Sequence, residues 1–170
     1  MISLRKSQEV IGLSIIHLET GKKLGTVCDL LFDEEQQFRG ILMEDGGLFK
    51  RRKFISTDHI VSIGNDAVVV DNEHPFSANP KNKNWMSICS GDKKLKGRTI
   101  LTSSGYEMGL VENVYFLEEM GTLIGYELSD GILNDIRDGR KWLKTKKPLI
   151  WGEDVLIAPA DQIEVKDANS

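Results

Sequence analysis

The chain writes one pattern twice. Residues 21–47 read GKKLGTVCDLLFDEEQQFRGILMEDGG, and residues 105–131 read GYEMGLVENVYFLEEMGTLIGYELSDG. In each copy a Gly-x-x-x-Gly turn, Gly21 with Gly25 or Gly105 with Gly109, opens an apolar run that ends in an acidic tip. A third glycine, Gly40 or Gly125, starts a second apolar run closed by Asp-Gly. Asp-Gly between such runs is a strong turn signal, because glycine adopts positive φ without steric cost. Each copy is therefore predicted to be a β-hairpin.

Aligning Gly25 with Gly109 tests that reading. Leu30 and Phe32 then fall on Val114 and Phe116 and Asp29 on Asn113; after the turns, where the second copy is one residue longer, the return strands agree again, Ile41 and Met43 corresponding to Tyr126 and Leu128. One pleat, with the polar and the aromatic position on opposite faces, satisfies both copies. The resemblance extends outward. Gly12 and Gly97 open a preceding strand, and the turns Gly64-Asn65-Asp66 and Gly152-Glu153-Asp154 each lead into a last, β-branched or aliphatic strand. Ser56 or Thr57 is placed to cap a single helical turn.

Five or six short strands per copy, with almost no sustained period of 3.6, predict an all-β protein of two tandem small β-barrels with short helical turns; closure removes exposed edges. The boundaries read as a first barrel over residues 1–72, a linker over 73–96, a second barrel over 97–165 and a flexible tail over 166–170. Units of roughly 85 residues lie near the lower limit for burying an independent core, so the two are expected to pack together. Residues 4–10 form a lead-in expected to dock on the first barrel. The linker contains Pro75 and Pro80 but also Trp85, Met86 and Ile88, which are expected on one barrel or in the groove between the two.

Hydrophobic content of 40% with 28% charged residues suits a globular chain. No apolar run approaches the ~20 residues that span a bilayer, and the N-terminus MISLRKSQEV lacks the layout of a signal peptide, so a cytoplasmic location is expected. Net charge divides unevenly, at −2 for residues 1–72, +3 for 73–96 and −5 for 97–170. An acidic body argues against a nucleic-acid footprint spread over both units and leaves local basic spots.

Chemistry-bearing motifs are sparse. Cys28 and Cys89 have no C-x-x-C spacing, and His17, His59 and His74 show no metal-ligand pattern, so no metal or cofactor is expected. The acidic tips, Asp33-Glu34-Glu35 and Glu118-Glu119, read as solvated turns rather than a catalytic pair, which needs a sheltered cleft. Lys50-Arg51-Arg52-Lys53 is the sharpest local feature and could dock an acidic protein face or a phosphate backbone, although such runs often only solvate a hairpin tip. Trp142, inside Lys141-Trp142-Leu143-Lys144, could stack on a base, but an aromatic in a strand more often buries its area in a core or an interface.

These motifs resemble the PRC-barrel family: an apolar strand, Gly-x-x-x-Gly-x-Val-x-Asp, a second apolar strand, a short turn, glycine and a further strand, then a Gly-Asp-type turn into the last strand. The matching residues are Ile11-Gly12, Gly21, Gly25, Val27, Asp29, Gly40 and Gly64-Asn65-Asp66-Ala67-Val68 in the first copy. In the second they are Gly97, Gly105, Gly109, Val111, Gly125 and Gly152-Glu153-Asp154-Val155, with Asn113 in place of aspartate. The resemblance implies barrels similar to the cytoplasmic domain of the photosynthetic reaction centre's H subunit and the C-terminal domain of the ribosome-maturation factor. It also implies a bacterial protein that works by binding rather than catalysis.

The expectation is thus a non-enzymatic adaptor that binds a partner protein or assembly, with Lys50, Arg51, Arg52, Lys53, Trp85 and Trp142 as candidate contacts. Gly21, Gly25, Gly40, Gly64, Gly105, Gly109, Gly125 and Gly152 serve as structural turn residues. Two alternatives stand beside it: association with RNA or the ribosome through the basic segments, and a small-ligand sensor using a cavity inside or between the barrels. Homo-oligomerisation is compatible with each of these readings.

Overall fold

The computed structural model describes residues 4–46, 52–71, 77–78, 84–119, 121–129, 140–161 and 163–167. Lys50, Arg51 and His74 lie outside them. The chain is almost entirely β. Its elements are β1 (Leu4–Lys6), the one-turn helix α1 (Ser7–Val10), β2 (Ser14–His17), β3 (Lys23–Phe32), β4 (Phe38–Glu44), β5 (Arg52–Ser56), a 3-10 turn (Thr57–His59), β6 (Ile60–Ile63), β7 (Ala67–Val70), β8 (Ser77–Ala78), β9 (Met86–Ser87), β10 (Thr99–Thr102), β11 (Glu107–Leu117), β12 (Leu123–Ser129), β13 (Lys141–Thr145), β14 (Ile150–Trp151), β15 (Leu156–Ala158) and β16 (Ile163–Asp167). The 3-10 turn has the expected cap, Ser56, whose hydroxyl accepts from the Asp58 amide. Among the described residues no helix is long and apolar enough to cross a membrane.

The strands form two sheets with one topology. The first runs β6-β7-β2-β3-β4-β5-β8 and the second β14-β15-β10-β11-β12-β13-β16, and each gains one further short strand, making eight. The expected strands form the body of each sheet. The additions are short pieces from the linker, the N-terminus and the far C-terminus, where β16 carries the second sheet through residues 166 and 167 that read as tail. The long central hairpins agree in register, Val27 facing Met43 as Val111 faces Leu128, and both are bulged between Val27 and Asp29 or Val111 and Asn113. A bulge bends its strand and deepens the twist, so matched bulges curl both sheets alike.

The two extra strands are exchanged. β1 precedes the strands of the first sheet, yet it pairs with β11 of the second, Arg5 opposite Phe116. β9 precedes the strands of the second sheet, yet it pairs with β3 of the first, Met86 opposite Phe32. The lead-in expected on the first barrel therefore docks on the other sheet. A buried polar side chain receives each arm. Asp29 accepts from the amides of Ile88 and Cys89 at 2.9 and 3.0 Å and from the Ser90 hydroxyl. Its counterpart Asn113 accepts from the Ser7 hydroxyl and the Gln8 amide at 2.8 and 3.0 Å. Buried acceptors of this kind must be satisfied, so each arm is anchored at a fixed register.

One apolar cluster runs through both sheets, from Val10 and Ile15 through Phe32, Phe38 and Phe116 to Leu143 and Leu156. Phe32 and Phe116 are fully buried. Each such side chain contributes about 1.5–3 kcal/mol relative to an exposed one. Backbone contacts reinforce the join: Gln37 forms a bridge with Thr122, and the Phe38 amide donates to Gly121 O at 2.7 Å. Arg5 spans from β1 to the first sheet, its guanidinium donating to Gly64 O at 2.6 Å and to Asn65 Oδ1 at 3.3 Å.

The repeated glycines serve two ends. Gly21 and Gly105 turn the chain at φ 67° and 91°. Gly125 does something else: a Cβ there would collide with the Trp142 indole and lie 2.9 Å from Leu143 O, so its absence lets β13 and Trp142 close over β12.

Candidate binding groove between the two sheets

The turn after β3 is set by one carboxylate. Asp33 Oδ1 accepts from the amides of Glu35 and Gln37 at 2.9 and 3.0 Å, and Oδ2 accepts from Arg39 Nε at 2.6 Å. Burial alone would raise the Asp33 pKa, but these hydrogen bonds outweigh it and hold the carboxyl below its ordinary value. The folded turn leaves Glu34 and Glu35 exposed and drives Gln36 inward with φ 63°. Gln36 Nε2 then donates to Leu149 O of the second sheet at 2.5 Å.

Between this turn and β14 lies a groove of about 930 Å³. Its floor is apolar, with Met86, Pro148, Leu149, Ile150 and Trp151. Leu149 and Met86 are buried, while Ile150 is 63% exposed. Trp151 is held by its indole N–H, which donates to the Tyr126 hydroxyl at 2.9 Å. Tyr126 is fully buried, and that burial pushes its hydroxyl well above the usual tyrosine range.

Charged groups rim the floor: Glu34, Glu35, Asp92 and Glu153, with Lys93 and Arg98. Arg98 is committed to the wall, its Nη1 donating to Gly152 O at 2.7 Å and its Nε to Lys94 O at 3.0 Å. Lys93 donates to Asn84 Oδ1 at 2.9 Å. Among the described residues no cation pairs with any of the four carboxylates.

The other end of the molecule carries the counterpart. There the turn after β11 faces β6 across about 470 Å³, lined by Phe38, Ile60, Val61, Ile63, Glu118 and Glu119 among others. Here the turn caps the sheet edge directly, Glu118 Oε1 accepting from the Ile63 amide at 3.1 Å. The copies have diverged into one capped, smaller cleft and one larger apolar groove.

Residues 4–74 match the PRC-barrel domain family. The first repeat is therefore similar to a PRC-barrel domain. The match begins at the exchanged arm and covers the first repeat. Over 150 residues, 87% of this chain, it is 25% identical to "Uncharacterized protein YrrD" of Bacillus subtilis (strain 168), of which 83% is covered.

The candidate contacts read from the sequence lie elsewhere on the two repeats. Arg52 and Lys53 sit on β5, where Arg52 faces Glu44 at 3.6 Å; Lys50 and Arg51 lie outside the described residues. Trp85 packs edge-on against Phe54 at 5.7 Å, beside Leu31 and Leu42 on the outer face of the first sheet. Trp142 is the counterpart of Phe54 and packs on Tyr115 at 5.1 Å, its buried indole N–H without a partner. Neither tryptophan lines the groove, although Asn84 and Met86 beside Trp85 do.

Where the first sheet has that apolar outer cluster, the second has a charged one. Glu127 is 2% exposed and lies 2.8 Å from Lys6 Nζ, 2.9 Å from Arg140 Nη1, 3.1 Å from Asn113 Nδ2 and 3.3 Å from the Tyr115 hydroxyl. Burial would raise its pKa, but the bonds from Lys6, Asn113 and Arg140 bring it below the usual glutamate value. Burial, followed by the Glu127 charge, pushes the Tyr115 hydroxyl up to about 12. Every oxygen of this carboxylate is occupied by groups that hold β1 and β13 in place, so the cluster is a structural clasp.

Cys28 is half-buried, and that burial pushes its thiol up to about 11, which removes the thiolate a nucleophile needs. His17 Nδ1 is engaged with Thr20 Oγ1 at 2.9 Å and His59 with Asp71 at 3.3 Å. Among the described residues no three His, Cys, Asp or Glu side chains gather in a way that could hold a metal.

Proposed function

We propose that this chain is a tandem PRC-barrel protein acting as a non-catalytic cytoplasmic adaptor that docks a partner protein in the groove between Glu34-Glu35 and β14. The observation that carries the reading is the pairing of an exposed apolar floor, Ile150 above all, with carboxylates that have no cation partner among the described residues. Apolar area supplies affinity and unpaired charge supplies steering and selectivity. A catalytic reading is less well supported, because Glu34 and Glu35 stand exposed on a turn, without the enclosure that sets an acid and a base apart. An RNA reading would need free cations in the groove, and the phosphate backbone would meet carboxylates there.

The test is capture from host extract with the full chain, Ile150→Asp and a charge-reversed Arg52/Lys53 variant. A partner held by the parent and by the Arg52/Lys53 variant, and lost with Ile150→Asp, supports the reading. Capture indifferent to Ile150 but lost with Arg52/Lys53 would move the site to the basic strand and overturn it.

A further inference from the structure

We infer that the occupant of the groove is an extended segment of another protein in which lysine or arginine alternates with apolar residues, added as a strand to the free edge of β14. The inference rests on the adaptor reading and specifies the partner's chemistry. Among the described residues β14 is the terminal strand of its sheet, paired with β15 alone through Ile150 opposite Ile157 and Trp151 opposite Leu156. A terminal strand offers unpaired backbone groups to an incoming chain.

The comparison within the molecule is what makes this edge distinctive. At the equivalent edge, β6, the Glu118 carboxylate covers the Ile63 amide. At β14 the turn instead grips Leu149 O through Gln36, one residue short of the edge strand. Among the described residues no side chain bonds to the backbone of Ile150 or Trp151. The edge is thus open where its twin is closed.

The walls then select the sequence. In an extended chain alternate side chains point to one face, so a segment lying on β14 presents every second residue to the Ile150 floor and the others away from it. Glu34 and Glu35 stand on the facing turn, with Asp92 and Glu153 at the ends of the groove. Those four carboxylates outnumber the two cations of the lining, Lys93 and Arg98, so the groove presents a net negative charge. Lysines alternating with valines meet both demands, whereas glutamates in the same places meet like charge.

The probes are two capped hexapeptides, Lys-Val-Lys-Val-Lys-Val and Glu-Val-Glu-Val-Glu-Val, and the first peptide N-methylated at alternate amides so that it cannot extend a sheet. They are titrated against the full chain while the Trp151 indole and Ile150 methyl NMR signals are followed. The lysine peptide is expected to shift both signals and to bind at least tenfold more tightly than either control. Added salt and the surface variant Glu34→Lys/Glu35→Lys should each weaken it by about tenfold. Equal binding of the peptides, binding indifferent to N-methylation, absence of binding, or shifts confined to other faces would overturn the inference. If host capture still depends on Ile150 in that event, the adaptor reading survives and only the strand-addition chemistry falls.

Discussion

Phe32 and Phe116 occupy the same position in the two repeats and meet edge to face, ring centroids 5.8 Å apart, with Phe38 packed on both at 5.7 and 5.1 Å. The contact joins the sheets through buried aromatics, with polar contacts such as Gln36 to Leu149 O and Glu118 to the Ile63 amide flanking it. Phe116→Ala should therefore cost about 3–5 kcal/mol, the usual range for a buried aromatic. It should do so without splitting the transition. Urea unfolding followed by far-ultraviolet dichroism and by tryptophan fluorescence should give coincident midpoints in parent and variant; two separate steps would show that the sheets unfold independently.

Asp29 should prove to be an anchor whose shape matters more than its charge. It accepts from Leu30, Ile88 and Cys89 amides and the Ser90 hydroxyl, and Asn113 fills the same post with a neutral amide. Asp29→Asn is expected to lose about 1 kcal/mol and Asp29→Ala about 3 kcal/mol, because the alanine strands buried donors. Hydrogen exchange at Ile88 and Cys89 should quicken only in the alanine variant. Equal losses for both would refute the idea.

Glu127 gives the fold an acid-sensitive clasp. Its folded pKa lies below the unfolded one, so its stabilisation is present above the ordinary glutamate value of about 4.3 and is lost as pH falls through the depressed folded value. Glu127→Gln should be less stable than the parent by about 1–3 kcal/mol at pH 7, since the charge-assisted bonds from Lys6 and Arg140 to Glu127 weaken while both cations remain partly open to water. The gap should narrow on acidification below about pH 4. Denaturant titrations at both pH values check this; a constant gap would mean the carboxylate's charge is irrelevant.

Gln36 sits at φ 63° where the equivalent turn of the second repeat has Gly121 at 68°. A left-handed backbone costs a non-glycine residue about 1–2 kcal/mol, and the bond to Leu149 O returns about 1. Gln36→Ala keeps the strain and loses the bond, so it should fall by about 1 kcal/mol. Gln36→Gly loses both and should stay within about 0.5 kcal/mol of the parent. Thermal melts of the two variants decide the matter, and an alanine variant more stable than the glycine one would reverse it.

Much of this was legible in the residues. The Gly25–Gly109 and Gly40–Gly125 matches carry the hairpins to the right register because a period-2 pattern fixes which face each residue takes, and two copies check each other. Trp85, Met86 and Ile88 stood out in the linker, and the structure packs all three on the sheets. The exchange of arms was not legible. Leu4, Arg5 and Lys6 are too few to show a period, and the partner that claims them, β11, is remote in sequence. The groove was hidden for a related reason. Glu34 and Glu35 read as an ordinary acidic turn and Leu149, Ile150 and Trp151 as an ordinary strand; only the Gln36–Leu149 bond, spanning 113 positions, brings them face to face.

The exchanged arms also impose an order of assembly on a chain made from its N-terminus. The first sheet stays short of a strand until Met86 and Ser87 have been synthesised, and Leu4, Arg5 and Lys6, made before the strands of either sheet's body, have no strand to pair with until Tyr115, Phe116 and Leu117 exist. Residues 4–6 are thus obliged to wait for residues 115–117, and a ribosome stalled between them would hold a nascent chain with an unpaired arm and an uncovered seam.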